Sequence, residues 1–294
     1  MIWLGETRGY LSDWVTQQWV RATGRRVDIA ANPWLDGPTG NTKVIGRDFF
    51  AEFARTRQLD VVEQGRRGLL DHFDKLAGGA INPHFIAREV KAFYEQTSAY
   101  ELDVWAEWHG LFRPFGKALA VIFSRRLQQL NIPLSSLDTS RGMSNRILQM
   151  WNRENGQLVQ TGWVRELRGT GNVIYAGSYS VCIIPGHPSP CVKVVFPLPN
   201  GNAIVLMKPA PLQDGSLSLT SRGRRFGDPG FYFVVHGSDG TAWAKYVKAM
   251  TEQITVYAAE QNDARADHVL WFFGKQFLKL HYRMRATADV FSGR

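Results

Sequence analysis

The sequence predicts an α+β fold with a helical region packed on a large antiparallel β-meander that curls into a barrel or deep cup. The helical region is expected over residues 1–135 and the meander over 136–294. Apolar residues recur every three or four positions in the first region, whereas short apolar runs alternate with glycine-containing turns in the second. Several of these runs are apolar on both faces, so the sheet needs a cover on each side. We expect one integrated domain.

Four segments of the first region have the apolar spacing of amphipathic helices. In one of them Leu102, Trp105 and Trp108 share a face, and a Ser-x-x-Glu capping box stands near its start. In another, an Asn-Pro pair supplies a cap and a first-turn proline. These helices are expected to cover the outer face of the sheet. The four segments are residues 10–20, 82–96, 98–112 and 114–130.

After residue 140 the chain reads as about ten short strands. Turn sequences interrupt β-branched and aromatic runs every 10–20 residues or so. Sheets of about this many strands tend to curl or close. The expected shape is therefore lipocalin-like or START-like in general terms, and the inner face holds either a filled core or a ligand cavity. Three runs are apolar on both faces, namely 192–198, 203–207 and 231–235.

Residues 265–285 are predicted to form a β-hairpin and not one long helix. The second arm alternates polar residues with Leu278, Leu280, Tyr282 and Met284. A Gly-X pair at 274–275 has the form of a two-residue hairpin loop. Counting outward from that loop places His268 opposite His281.

The histidine pair is the main candidate for chemistry. Opposed side chains in antiparallel strands have Cβ atoms about 4.5–5.5 Å apart, so His268 and His281 could act together as an acid–base pair. A shared metal would need a third ligand, such as His236, and Lys279 on the same face disfavours a cation. The alternative is a pair of half-exposed histidines on a polar strand face. We expect neither a metal nor another cofactor.

The candidate binding residues are cationic and aromatic side chains of the second region. Three arginines in a glycine-rich loop could clamp a carboxylate or phosphate, or could simply face water. Three rings on neighbouring strands could line a pocket, or could belong to the core. The full set is Arg222, Arg224, Arg225, Lys279, Tyr175, Tyr179, Trp163 and His236.

The charge of the chain favours an anionic partner. The net charge is +9, and residues 136–294 carry 18 Lys and Arg against 11 Asp and Glu. A carboxylate or phosphate ligand, nucleic acid or a membrane surface would fit this excess. The absence of an RNP-like aromatic and basic motif argues against nucleic acid.

Several protein classes are excluded by missing sequence features. The chain has no P-loop, zincin, nucleophile-elbow or Rossmann motif. It also has no unbroken apolar run of about 18 residues and no secretory signal at its start, so a cytoplasmic location is expected. Cys182 and Cys191 are expected on the two arms of one hairpin, as reduced and buried thiols or, less favourably, as a disulfide.

These observations predict the binding of an apolar or aromatic small molecule with an anionic group in the cavity of the β-cup. Metal-free acid–base catalysis of the isomerase, cyclase or hydratase type would fit the histidines. The alternatives are a non-catalytic carrier or sensor, and a basic module that binds nucleic acid or an anionic membrane surface. The sequence does not determine the oligomeric state.

Overall fold

The structure, a computed structural model, describes residues 11–40, 45–79, 81–109, 143–167, 171, 173–237, 239–287 and 290. Within these ranges the chain forms three α-helices and fourteen β-strands. The helices are α1 (Leu11–Thr23), α2 (Phe49–Thr56) and α3 (Arg88–Glu95). The predicted helix at 114–130 lies outside the described residues. No helix in the described ranges is long and apolar enough to cross a membrane.

All fourteen strands belong to one sheet, and every strand pair is antiparallel. The strands are β1 (Arg25–Val27), β2 (Leu59–Val62), β3 (Tyr100–Trp108), β4 (Met143–Asn152), β5 (Leu158–Leu167), β6 (Val173–Cys182), β7 (Cys191–Leu198), β8 (Gly201–Pro211), β9 (Leu217–Thr220), β10 (Phe231–His236), β11 (Ala242–Tyr246), β12 (Met250–Ala258), β13 (Ala264–Phe272) and β14 (Lys275–Ala286). The predicted antiparallel meander is confirmed, with eleven strands after residue 140.

The sheet follows the order β2-β4-β5-β6-β7-β8-β9-β12-β13-β14-β3. It branches at β8, because the first half of this strand pairs with β10 and the second half with β9. The branch continues through β10 and β11 to β1. No strand pair among the described residues joins the two ends of the order, so a closed barrel is not shown. The side chain of Asn145 on β4 instead reaches β3 and donates to the Tyr100 carbonyl at 3.1 Å.

The helices cover the sheet on both faces. Phe93 of α3 belongs to the largest buried cluster, which fills part of the inner face. Phe50 of α2 packs with Leu148 and Val164 in a separate cluster on the outer face. Gly162 permits this outer contact, because a Cβ atom at that position would lie only 2.6 Å from the Phe50 ring. The predicted helices at 10–20 and 82–96 are present as α1 and α3, the second of them preceded by a 3₁₀ turn.

The helix predicted for residues 98–112 is wrong, because this segment forms β3. Tyr100, Leu102 and Val104 are buried, while Glu101 and Trp105 are exposed, which is the two-residue period of a strand. Every residue of β3 pairs with β14, from Tyr100 opposite Ala286 to Trp108 opposite Leu278. The segment therefore has both a helical and a strand-like spacing of apolar residues, and the strand-like spacing is the one that the structure follows.

The β13–β14 hairpin is confirmed, but its predicted register is wrong. The turn residues are Phe273 and Gly274, both at positive φ, so the loop starts one residue earlier than expected. A bulge between Leu270 and Trp271 then moves the pairing back by one residue towards the predicted register. As a result His281 lies opposite Asp267, not opposite His268.

The two cysteines lie on facing arms of one hairpin, as the sequence predicts. Cys182 of β6 is directly opposite Cys191 of β7, and both are free thiols. Burial raises the pKa of both thiols, to about 12 for Cys191. Both groups are therefore protonated and unreactive at neutral pH.

Candidate functional site

The inner face of the sheet encloses a cavity of about 540 Å³. Ten strands contribute residues to its wall, so the sheet wraps around it. α1 and α3 also contribute wall residues, including Gln17 and Phe93. This volume is within the range of small-molecule sites in proteins.

The wall is built by the alternation of the strands. On β12 the lining residues are Met250, Glu252, Ile254 and Val256, and β13 and β14 follow the same two-residue period. Most wall residues are aliphatic or aromatic. The polar wall residues contributed by strands are Arg165, Tyr175, Tyr179, Glu252, His268 and Tyr282.

Arg165 of β5 is a buried cation in the cavity wall, with only 4% of its surface exposed. Its guanidinium carbon lies 5.4 Å from the Trp163 ring and 5.6 Å from the Tyr282 ring. Nη2 approaches the Met143 sulfur at 3.4 Å, and Nε has no hydrogen-bond partner among the described residues. No carboxylate in the described part of the chain forms an ion pair with Arg165. An arginine buried in this way is rare unless an anion joins it.

Trp163 holds one side of this arginine site in a fixed orientation. Its indole Nε1 donates to the Asn145 side chain, and Asn145 in turn donates to the backbone of Thr97 and Tyr100. The ring beside Arg165 is thereby tied to both β4 and the start of β3. Such supporting contacts keep a binding group in place before a ligand arrives.

Three tyrosines supply neutral hydroxyl groups to the cavity. The Tyr175 hydroxyl donates to the Tyr179 hydroxyl at 3.1 Å. Burial raises the pKa of Tyr175, Tyr179 and Tyr282 above the ordinary value for tyrosine, and the Arg165 guanidinium offsets part of this for Tyr175 and Tyr282. All three phenols are therefore protonated at neutral pH and can donate hydrogen bonds.

His268 and Glu252 form a hydrogen-bonded pair in the cavity wall. His268 Nε2 lies 2.8 Å from Glu252 Oε2, and both side chains are about 15% exposed. A carboxylate at Nε2 fixes that nitrogen as the donor and leaves Nδ1 as the acceptor in the neutral ring. The arrangement suits an oriented general base.

His281 does not share a site with His268, which corrects the predicted pair. His281 lies between Leu280 and Tyr282, which line the cavity, so it projects from the opposite face. There its Nδ1 is 2.7 Å from Asp267 and its Nε2 is 3.4 Å from Glu107. Lys279 on the same outer face is 3.7 Å from Asp267. A metal bridging the two histidines is thus contradicted, and no metal-binding group of three side chains is found among the described residues.

The three loop arginines do not converge on one anion site. Arg222 lies 4.1 Å above the Trp271 ring. The backbone amides of Arg224 and Arg225, not their side chains, bind the Asp228 carboxylate at 2.8 and 3.1 Å. All three arginines are exposed and none lines the cavity. The structure therefore separates them from the polar groups of the cavity.

His236, the suggested third ligand, ends β10 and does not line the cavity. Burial lowers its pKa, so the ring is neutral at pH 7. Its Nε2 has no hydrogen-bond partner within the described ranges. Of the predicted binding residues, Trp163, Tyr175 and Tyr179 are placed in the cavity wall. Their role in binding stays a prediction.

Three polar wall residues on strands were missed from the sequence: Arg165, Glu252 and Tyr282. Arg165 follows Trp163 by two positions, and Glu252 stands between Met250 and Ile254 with the same parity. The sequence signal for Arg165 and Glu252 is a charged residue at a position where the alternation of the strand calls for an apolar one.

The chain is similar to the uncharacterized membrane protein YndJ of Bacillus subtilis, with 30% identity over 220 residues. The aligned region covers 73% of this chain and 37% of YndJ, so the chain spans well under two thirds of that relative. No family model matches the chain. No solved structure matches it either. The name of the relative states neither a ligand nor a reaction.

Proposed function

We propose that the cavity binds an apolar small molecule that carries an anionic group, and that this group pairs with Arg165. The observation that carries the proposal is a buried arginine, 4% exposed, in the wall of a largely apolar cavity. Removing a cation from water costs several kcal/mol unless a counter-charge compensates it. A carboxylate, sulfonate or phosphate on the ligand would supply that charge.

The surroundings of Arg165 favour a planar anion. The Trp163 and Tyr282 rings lie near the guanidinium group of Arg165. A guanidinium group binds a carboxylate in its own plane, through the nitrogen atoms along its edge. The Tyr282 hydroxyl is protonated, because burial raises its pKa, and it can donate a hydrogen bond to an anion. We therefore expect the anionic group on the β5 side of the cavity, beside Arg165.

The remainder of the cavity favours an apolar body. Its wall between the polar groups consists of side chains such as Val205, Ile254 and Leu280. The excess positive charge of residues 136–294 also supports an anionic ligand. YndJ is named a membrane protein, and an amphiphilic, lipid-like ligand would be available at a membrane.

A second candidate function is acid–base catalysis on the bound ligand. His268 would move the proton, because Glu252 orients it and both line the cavity. Isomerisation, cyclisation and hydration would all fit a metal-free general base. His281 is not part of this mechanism, since it lies on the outer face. Without turnover, the same site would serve a carrier or sensor.

Filling the cavity tests the binding proposal. Ala266 is 5% exposed and lines the cavity, so Ala266→Phe would place a ring in the ligand space. The matched control is Val159→Phe, because Val159 on β5 is 44% exposed. Fluorescence titration with anilinonaphthalene sulfonate should show affinity at least about tenfold weaker for Ala266→Phe and unchanged for the control. Equal affinities in a folded Ala266→Phe variant would refute a ligand in this cavity.

A further inference from the structure

The turn of the β13–β14 hairpin exposes an aromatic cluster. The aromatic tip, defined as Trp271, Phe272 and Phe273, ends in a phenylalanine that is 76% exposed. The centroids of the Phe272 and Phe273 rings are 4.7 Å apart, and the rings meet edge to face. Phe273 is thus the most exposed large apolar side chain in the described part of the molecule.

Phe273 also occupies an unfavourable backbone conformation. Its φ is +48°, and Gly274 after it has a φ of +76°. Turns of this kind favour Asn or Gly at the first position, because a bulky side chain at positive φ is crowded by the backbone. An exposed phenylalanine in this backbone conformation does not contribute to the stability of the fold. Strained residues of this type cluster at functional sites.

Basic side chains surround the aromatic tip. The Arg222 guanidinium lies 4.1 Å above the Trp271 ring, and Lys275 follows the turn directly. The Phe273 amide donates to the Ala249 carbonyl at 2.8 Å, which brings the neighbouring turn and its exposed Lys248 alongside. Residues 247–250 and 271–277 contain no acidic residue. Within the described ranges, neither lysine forms an ion pair.

We propose that the aromatic tip docks the chain on an anionic lipid bilayer. An apolar ring that protrudes among cations matches the membrane interface, where aromatic rings sit at headgroup level and Lys and Arg bind anionic lipids. Phe273 would enter the interface while Lys248, Lys275 and Arg222 contact the headgroups. This surface lies outside the cavity wall, so the proposal does not depend on a cavity ligand.

The aromatic tip adjoins one end of the cavity. Phe272 pairs in register with Met250, and Met250 and Leu270 both line the cavity. Docking through this tip would therefore turn that end of the cavity towards the bilayer.

Vesicle flotation tests the proposal with a matched pair of variants. Phe273→Asn removes the ring and suits positive φ, so the turn is kept. Phe85→Asn is the control, because Phe85 is also a phenylalanine and is 70% exposed at a different surface. The whole chain would be floated with phosphatidylcholine vesicles that contain or lack phosphatidylglycerol.

The wild-type chain should bind the vesicles that contain phosphatidylglycerol and should bind those without it far more weakly. Phe273→Asn should bind on the order of tenfold more weakly, as expected for one phenylalanine withdrawn from an apolar environment. Each of Lys248→Gln and Lys275→Gln should weaken binding about fivefold. Phe85→Asn should bind like the wild type.

Three results would overturn the proposal. The first is no wild-type binding at low salt, and the second is equal loss in Phe273→Asn and Phe85→Asn. The third is full vesicle binding by Phe273→Asn with loss only in the lysine variants, which would assign the basic residues to a polyanion such as nucleic acid.

Discussion

The Nε2 atom of His268 lies 2.8 Å from Oε2 of Glu252 inside the cavity wall. The two residues come from neighbouring strands, β13 and β12, and both side chains are largely buried. His281 has carboxylate partners as well, but on the outer face and with 31% of its side chain exposed. Burial therefore distinguishes two histidines that have similar partners.

Truncating the two histidines should have unequal effects on stability. His268→Ala leaves a buried carboxylate without its partner and should lower the free energy of unfolding by about 1–3 kcal/mol. His281→Ala removes a half-exposed pair and should cost less than about 1 kcal/mol. Urea denaturation measures both values. Equal costs would contradict the assignment of His268 to the buried side of the sheet.

Arg165→Met should stabilise the ligand-free chain. The substitution removes a buried cation that lacks a carboxylate partner among the described residues, and methionine keeps most of the apolar volume. The free energy of unfolding should rise by about 1–3 kcal/mol, because the folded chain no longer keeps an uncompensated cation out of water. A loss of stability would mean that Arg165 serves the fold and not a ligand.

Phe273→Asn should also stabilise the chain, for a different reason. Phe273 has a φ of +48°, which asparagine adopts more readily than phenylalanine. We expect a gain of about 1 kcal/mol in the free energy of unfolding. A measured loss would show that the contact with Phe272 contributes more to stability than the strain removes.

The buried tyrosines predict the response to alkaline pH. Burial raises the pKa of Tyr94, Tyr175 and Tyr179 above the value near 10 of an unfolded chain. Their stabilising contribution is complete below about pH 10 and is lost as the pH rises further, because only the unfolded chain then releases these protons. Phenolate absorbance and circular dichroism should therefore change together above pH 10. Phenolate formation by these residues in a folded chain would disagree with their burial.

Much of the sheet could be predicted from strand alternation. In β14 the apolar residues Leu278, Leu280 and Met284 fall on one face, and that face is buried. In β3 the same period was present, but the spacing of Leu102 and Trp105 also fits a helix. Pairing with β14 makes this segment a strand. In that strand Trp105 is 47% exposed. A tertiary contact of this kind is not visible in the local sequence.

The candidate site was harder to predict, because it depends on register. A phenylalanine at positive φ and a bulge after Leu270 together moved His281 away from His268. A register shift of one residue places a side chain on the opposite face. Arg165 and Glu252 are ordinary residues in the sequence, and only the curvature of the sheet brings them to one cavity.

Two ligands that differ in charge test the role of Arg165 as the anion-binding residue of the cavity. Anilinonaphthalene sulfonate and the uncharged N-phenylnaphthylamine would be titrated into the wild-type chain and the Arg165→Met variant. If Arg165 binds the anionic group, the variant loses at least about tenfold affinity for the sulfonate and keeps its affinity for the uncharged compound. Unchanged sulfonate affinity in the variant would contradict the role of Arg165 as the anion-binding residue.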